Sequence, residues 1–361
     1  MAQYLSSEQL YEPQREPEPT TTFEAVQVGE VLQITPVTEN GSTHQPEFVA
    51  SQNNKLSMAA WIVLGGTMVL MMSLYALLAI PTLLVSLWLG AAVLPTFLVY
   101  LWVVVPFKGN PPLSLSFIIE QLGLGAYPAF ILALFVEVGL SICLQSLLGF
   151  DMSSASEQIF RNPLSIDEAL REKLWQLLLF YFLNAMVVAA FVEETVKYIL
   201  ALRHRKLVIN PGIKGIIGCS VCGALGLAGM EHLFYCLNFL LSSDWLTAVL
   251  SGFFRAIIAF WLHCLTGFFI GVRRARVDIL GDSLSYISAI WLPVLVHGTM
   301  DFAAFSLGTI FEDTWLVVLV PCLDIFLLSI FTWTTSMEYK STSEREMELR
   351  YPQNVVTEVS V

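Results

Sequence analysis

Eight runs of apolar residues, each long enough to cross a lipid bilayer, constrain the fold of this chain more than any other feature. A helix of about 20 apolar residues spans the roughly 30 Å hydrocarbon core. Helices and closed barrels alone satisfy their backbone polar groups in lipid, so runs of this length indicate spanning helices. The runs cover residues 58–80, 83–106, 126–148, 174–202, 213–241, 246–272, 284–309 and 314–336. The sequence therefore predicts an all-α polytopic membrane protein with about eight transmembrane helices in a lipid bilayer.

The segments outside these runs are polar. Residues 1–57 contain eight Glu against Arg15 and Lys55, with Pro, Thr, Gln and Ser throughout. Because such a composition cannot bury a core, we interpret residues 1–57 as a disordered, acidic cytoplasmic tail. Residues 58–336 form the predicted membrane domain, and 337–361 a short polar cytoplasmic tail. The net charge of −12 comes partly from the tails and does not indicate a nucleic-acid partner. Leu113–Gly125 is amphipathic and is predicted to lie along the interface or to re-enter the membrane.

Basic residues are concentrated in the connections on one side of the predicted membrane domain, whereas the opposite connections are mainly acidic. By the positive-inside rule the basic side is cytoplasmic, which places both termini in the cytoplasm. The residues that carry this prediction are Lys55, Lys108, Arg203, Arg205, Lys206, Lys214, Arg273, Arg274, Arg276 and Lys340.

Two adjacent carboxylates and an amine interrupt the fourth run, as Glu193-Glu194-Thr195-Val196-Lys197. A carboxylate or ammonium at the centre of a spanning helix costs roughly 2.5 to 3.5 kcal/mol by insertion scales. On a helix Lys197 is three residues from Glu194 and four from Glu193, so it can reach either carboxylate. A structural ion pair would explain one Glu and the Lys, but it leaves the second Glu to face another neighbour.

Three later runs add further ionisable groups at membrane depth. At about 1.5 Å per residue from the cytoplasmic ends, the groups form two layers. The shallow layer contains Glu193, Glu194, His263 and His297, which are the groups that acid–base chemistry or a metal requires. The deeper layer contains Glu231, Arg255 and Asp301 and is expected to be structural, although Asp301 can also orient His297. Glu120, Glu137 and Asp324 have no evident partner, and we interpret them as snorkelling or cavity-lining carboxylates.

These motifs together resemble the PrsW family of intramembrane proteases, which is similar to the CAAX prenyl endoproteases and bacteriocin-processing proteins. Over roughly residues 60–335 the matching motifs are Glu193-Glu194-x-x-Lys197 for EExxK, Gly226-Leu-Ala-Gly-Met-Glu231 for GFAxxEN, His263, and His297-Gly-x-x-Asp301. Leu227 and His232 stand where the family has Phe and Asn. The resemblance implies hydrolysis of peptide bonds within or beside the membrane, in membrane proteins or membrane-associated peptides.

The resemblance also implies roles for these residues. Glu193 is the expected water-activating carboxylate, and Glu194, His263 and His297 complete the catalytic set. The supporting residues are Lys197, Glu231, His232, Arg255 and Asp301.

Two alternatives remain open from the sequence. The first is a zinc-dependent protease in which His263, His297 and Glu194 bind the metal and leave a position for water. No HExxH pair lies on one helix, and each imidazole comes from a different run. We therefore favour a mechanism without a cofactor and keep zinc as the alternative. The second is a non-enzymatic protein that translocates ions or protons, although its halves are not self-similar.

The charge asymmetry predicts the topology of the chain. Glycosylation acceptors or protease-accessible tags at residues 30, 158 and 350 should report the cytoplasm, the far side and the cytoplasm. Modification of a tag at residue 30 from the far side would contradict this orientation.

Overall fold

A computed structural model describes residues 21–28, 31–38, 56–78, 113–149, 168–207, 211–242, 245–310 and 316–350. The chain divides into two compact units, Met1–Asn53 and Asn54–Val361. We describe each unit by itself.

The first unit contains a two-stranded antiparallel hairpin of β1 (Thr21–Val28) and β2 (Val31–Thr38). The register pairs Thr21 with Thr38 and Val28 with Val31. The segment predicted to be a disordered tail thus contains this hairpin among its described residues. Both strands are rich in Thr, Val and Ile, which favour extended structure, and the sequence between them is Gly-Glu, a dipeptide typical of two-residue hairpin loops. The remainder of the predicted tail lies outside the described residues.

The described part of the second unit is helical. Its α-helices are α1 (Met58–Leu78), α2 (Leu115–Leu124), α3 (Phe130–Leu148), α4 (Glu168–Leu183), α5 (Phe191–Ala201), α6 (Gly212–Ser242), α7 (Trp245–Leu280), α8 (Tyr286–Ile310) and α9 (Leu316–Arg350). Two π-helical segments, Gly125–Ala129 and Asn184–Ala190, connect α2 to α3 and α4 to α5, and the 3-10 helix Leu202–Lys206 follows α5.

Within the described ranges, six helices are long and apolar enough to cross a membrane. They are Leu115–Leu148, Leu174–Lys206, Gly212–Asn238, Ile257–Leu280, Tyr286–Ser306 and Leu319–Leu349. The prediction of an all-α polytopic membrane protein is confirmed for this unit. The first predicted run coincides with α1, whereas the run at 83–106 lies outside the described residues.

The third spanning helix begins earlier than the sequence indicated. The segment predicted to lie along the interface, Leu113–Gly125, is mostly the first part of one continuous helix, Leu115–Leu148. The π-helical segment at Gly125–Ala129 accommodates Pro128 without ending this helix. At the same level α2 crosses α6 so closely that a Cβ on Gly125 would collide with the carbonyl oxygen of Gly223. Contact with α6 therefore holds this segment within the bundle.

Basic and acidic side chains join several helices at one end of the bundle. Arg203 after α5 contacts Glu120 of α2 at 2.7 Å, and Glu120 accepts a hydrogen bond from Ser57 at the start of α1. Arg205 contacts Asp278 near the end of α7 at 2.8 Å. The sequence offered Glu120 no partner, and these contacts supply two. The described basic residues that predicted the cytoplasmic side thus share one end of the bundle.

The last helix extends beyond the predicted membrane domain. The sequence predicted a short polar tail over 337–361, and α9 continues as helix through this segment to Arg350. Arg345 on this extension donates two hydrogen bonds, of 2.9 and 2.8 Å, to the carboxylate of Asp282 between α7 and α8. Hydrogen bonds from the guanidinium groups of Arg345 and Arg276 lower the pKa of Asp282 to about 2. Asp282 therefore stays ionised at neutral pH and holds the extension against the bundle.

Candidate active site

The Glu pair lies in the first turn of α5, directly after a π-helical segment of seven residues. Segments of this kind are rare and occur frequently at functional sites. Glu193 is 5% exposed and Glu194 is fully buried. Both carboxylates are therefore inside the bundle, where each needs a partner or a polar cavity.

Lys197 provides the partner for one of the two carboxylates. Its ammonium nitrogen, Nζ, lies 2.6 Å from Glu194 Oε1 and 3.8 Å from Glu193 Oε2, and the side chain is fully buried. Nζ also donates to Thr266 Oγ1 of α7 at 3.2 Å. His297 Nδ1 of α8 lies 2.8 Å from the same Glu194 oxygen. Glu194 is therefore held by a cation on its own helix and by an imidazole on another.

His263 connects the two predicted layers. Its Nε2 lies 3.0 Å from Glu231 Oε2, and its Nδ1 lies 3.5 Å from Glu193 Oε2. Glu231 also forms an ion pair with Arg255, whose guanidinium stacks on Tyr235 with 3.6 Å between the guanidinium carbon and the ring centroid. The deeper residues were predicted to form a separate structural layer, whereas the structure places them in direct contact with the shallow one.

The two imidazoles are neighbours with carboxylates on their outer sides. Their ring centroids are 5.1 Å apart, and His297 Nε2 lies 3.3 Å from Asp301 Oδ2. A carboxylate on the second nitrogen of an imidazole is the usual arrangement at metal sites, where it fixes the ring orientation. The polar residues that the sequence singled out on four different helices thus form one continuous group.

Glu193, His263 and His297 also satisfy the elementary geometric requirement for binding a metal. One ligand atom from each residue lies within 4.8 Å of the others, and all three side chains are buried. A set of one carboxylate and two imidazoles suits a divalent transition metal such as zinc. The zinc alternative from the sequence named Glu194 as the carboxylate ligand, whereas the group in the structure contains Glu193.

A cavity of about 70 Å³ opens beside this group. Its polar lining residues are Glu137, Glu193, Glu231, Tyr235 and Asp301. Glu193 Oε2 and His263 Nδ1 are buried and have no hydrogen-bond partner in the described part of the chain. A polar cavity of this volume can hold water. Glu193 is therefore the member of the Glu pair that has both an unpaired oxygen and access to this cavity.

Other residues of interest have different surroundings. The His232 ring packs edge-on against Phe260, and its Nε2 lies 3.5 Å from Cys236 Sγ. These contacts of His232 are with residues of α6 and α7 that do not belong to the group around Glu193. Cys219 and Cys222 are buried, free thiols, as expected for residues that pack between helices.

Glu137 lines the cavity, which agrees with one of the two interpretations from the sequence, a snorkelling or cavity-lining carboxylate. The sequence assigned it no role, because no motif contains it. The available signal was its spacing from Phe130, Ala133 and Leu134, which repeats on one face of a helix.

Comparison with known proteins agrees with this geometry. The family model described as "PrsW family intramembrane metalloprotease" matches residues 114–328, which is more than half of the chain and includes every residue of the candidate site. The chain belongs to this family. No curated protein and no solved structure matches it. Membership in the PrsW family confirms the resemblance inferred from the motifs, and identifies a multi-pass membrane protein of the intramembrane peptidase class.

The buried pair of Lys197 and Glu194 should dominate the stability of this PrsW-family site. Lys197→Met leaves Glu194 without its cation, and breaking a buried pair on one side costs about 3–5 kcal/mol. Removing both charges, in the double variant with Glu194→Gln, should recover most of that loss. Thermal unfolding of purified protein in detergent measures this cycle. Equal destabilisation by the single and double variants would show that the pair contributes nothing specific.

Proposed function

We propose that the protein is an endopeptidase that hydrolyses peptide bonds of membrane proteins or membrane-associated peptides, at the cavity beside Glu193. One observation carries this proposal. A buried oxygen of Glu193 and a buried nitrogen of His263 lie 3.5 Å apart, and neither has a hydrogen-bond partner among the described residues. Family membership supports the peptidase over the alternative of an ion- or proton-translocating protein.

The proposed chemistry begins with a water molecule in the cavity. Glu193 Oε2 and His263 Nδ1, 3.5 Å apart, are placed to accept the two hydrogens of one water. Glu193 takes a proton as the water oxygen forms a bond to the carbonyl carbon of the substrate. The same proton then passes to the amide nitrogen as the carbon–nitrogen bond breaks, which yields a carboxyl group and an amine.

The surrounding residues hold these two groups in place. Glu231 fixes the His263 ring through Nε2, and the ion pair with Arg255 in turn holds Glu231. Lys197 and His297 both contact Glu194, which therefore contributes a negative charge to the site. Glu193 is then the carboxylate that can take up a proton from water. We therefore assign the role of base to Glu193, and positioning roles to Glu194, His297, Lys197, Glu231, Arg255 and Asp301.

A metal-dependent form of this mechanism is the second candidate. Glu193, His263 and His297 are the residues that would hold a divalent metal, and Glu231 and Asp301 would orient the two imidazoles. A bound zinc supplies a Lewis acid that lowers the pKa of its water to about 7. The closeness of the three ligand atoms and the unpaired atoms on Glu193 and His263 favour this candidate.

Contacts of His297 favour the form without a metal. Its Nδ1 lies 2.8 Å from Glu194 and its Nε2 lies 3.3 Å from Asp301, so a carboxylate faces each ring nitrogen. An imidazole donates to two carboxylates at once when both nitrogens carry a proton, and a metal ligand needs one nitrogen without a proton. Metal binding would require His297 to give up one of these contacts.

We also propose that the basic end of the bundle faces the cytoplasm. The described basic connections meet at this end, through the contacts of Arg203, Arg205 and Arg345. The positive-inside rule then orients the membrane domain with both termini in the cytoplasm.

The assignment of Glu193 as the base predicts a large loss of activity without a loss of folding. Glu193→Gln keeps the shape of the side chain but cannot take up a proton, and general-base catalysis contributes about 100-fold to 10,000-fold. Cleavage of a membrane-protein substrate by reconstituted protein should fall by at least about 100-fold. Glu194→Gln should also abolish cleavage, but with lower thermal stability because Lys197 loses its partner. Cleavage per folded molecule that persists in both variants would contradict the assignment.

Metal content distinguishes the two forms of the mechanism. The form that we propose predicts well under one zinc per chain in purified protein and undiminished cleavage after exhaustive chelation. Elemental analysis and activity after chelation provide the two measurements. Stoichiometric zinc that is lost in His263→Ala or His297→Ala together with activity would instead establish the metal-dependent form.

A further inference from the structure

The chemistry proposed above leaves one acidic residue of the cavity without a role. Glu137 lies on α3, where the stripe Phe130, Ala133, Leu134 and Glu137 lines the cavity. The other face of this helix is exposed, as at Phe135 and Val138, and in a membrane it contacts lipid. A carboxyl group on such a helix is costly to insert.

Glu137 lacks the partners that stabilise the other acidic groups. Glu194 has Lys197, Glu231 has Arg255, and Asp301 has His297. Glu137 forms no ion pair among the described residues, and its Oε1 is buried without a hydrogen-bond partner there. A buried polar atom of this kind costs free energy unless something binds it.

The substrate of an intramembrane peptidase brings the complementary group. A peptide bond is accessible to water once its segment has left the helical conformation, and unwinding frees backbone N–H groups. In lipid each unpaired N–H group costs several kcal/mol, so a cavity that receives an unwound peptide needs hydrogen-bond acceptors. Glu193 is already used by the reaction, and Glu231 is engaged through both oxygens.

We propose that Glu137 is a substrate-binding residue, whose Oε1 accepts a hydrogen bond from a backbone N–H of the peptide segment in the cavity. This inference rests on the proposed peptidase function. It assigns to α3 one part of the wall of the substrate site, beside α5, which contributes Glu193.

The test uses full-length protein in nanodiscs and a synthetic transmembrane peptide. The probe is a fluorescent 24-residue Leu/Ala peptide with a central Gly-Ser pair and Lys at both ends. Its binding is measured on Glu193→Gln protein, which does not cleave it. Adding Glu137→Leu should weaken binding about tenfold, as expected for losing one hydrogen bond in a buried site, whereas Glu137→Gln, which keeps an acceptor oxygen, should bind almost as well.

A peptide series identifies the bond itself. Replacing one central amide at a time by an ester removes a single N–H and keeps the shape of the chain. One ester position should weaken binding about tenfold when Glu137 is present, and should have no further effect in Glu137→Leu protein. In the cleaving enzyme, Glu137→Leu should raise KM with little change in kcat.

Asp324 on α9 offers a matched control. Its Oδ1 is also buried without a hydrogen-bond partner in the described residues, but Asp324 is not among the lining residues of the cavity. Asp324→Leu should leave peptide binding and KM unchanged. Equal effects of the two Leu variants, or a Glu137→Leu variant with reduced thermal stability and unchanged KM, would assign Glu137 a structural role and overturn the inference.

The outcomes also separate this inference from the proposed function. Suppose that peptide binding depends on Glu137 but that wild-type protein cleaves no peptide. This result would contradict the peptidase function and would support Glu137 as a peptide-binding residue. Cleavage with KM and kcat unaltered by Glu137→Leu would keep the peptidase and reject the residue. Failure of every peptide to bind the Glu193→Gln protein would reject both.

Discussion

Neutralisation of the buried Lys197 ammonium is the interaction on which the candidate site depends. A cation with no exposed surface is stable in a protein interior when paired and hydrogen-bonded, and Glu194 and Thr266 supply these contacts. Glu194 in turn contacts His297. One cation thereby ties α5 to α7 and, through the carboxylate, to α8. This small set of contacts connects the three helices that carry most of the candidate site residues.

The buried carboxylates of the bundle differ in whether they have a hydrogen-bond partner, and we use this difference to distinguish positioning residues from reacting ones. Several carboxylates inside the bundle have cations or imidazoles as partners, as Glu231 has Arg255 and His263. At the cavity, Glu193 and Glu137 each retain an oxygen without a partner in the described residues. Proteins depart from complete hydrogen bonding mainly where function requires it. These two oxygens at the cavity are the groups to which we assign the binding of water and of a peptide.

The sequence predicted the spanning helices and proposed the residues of the candidate site from local properties. Hydropathy identifies a helix in lipid, and the spacing of Glu194 and Lys197 places them in contact on any α-helix. Contacts between helices were less predictable, because distance along a helix gives depth but neither tilt nor rotation. For this reason Glu231 and His263 were assigned to different layers although they are in contact.

Other departures have equally specific causes. The helix of Leu115–Leu148 was divided at Gly125 because its first part is amphipathic, whereas the π-helical segment Gly125–Ala129 continues the helix. The extension of α9 was read as a tail because its residues are polar, yet Arg345 finds a partner in Asp282. Glu137 was predicted as a snorkelling or cavity-lining carboxylate without a role, because the residues around it are distant in the sequence.

The contact of Gly125 with the carbonyl oxygen of Gly223 has a consequence for genetics. Gly125 precedes Glu137 by twelve residues, about 18 Å along a helix. A side chain at position 125 would force α2 away from α6, and the displacement would be carried along α3 to the wall of the cavity. Screens for inactive alleles should therefore recover this glycine, which has no reactive group. An activity assay alone would suggest that such an allele affects a catalytic residue. The actual defect would be the increased distance between two helix backbones.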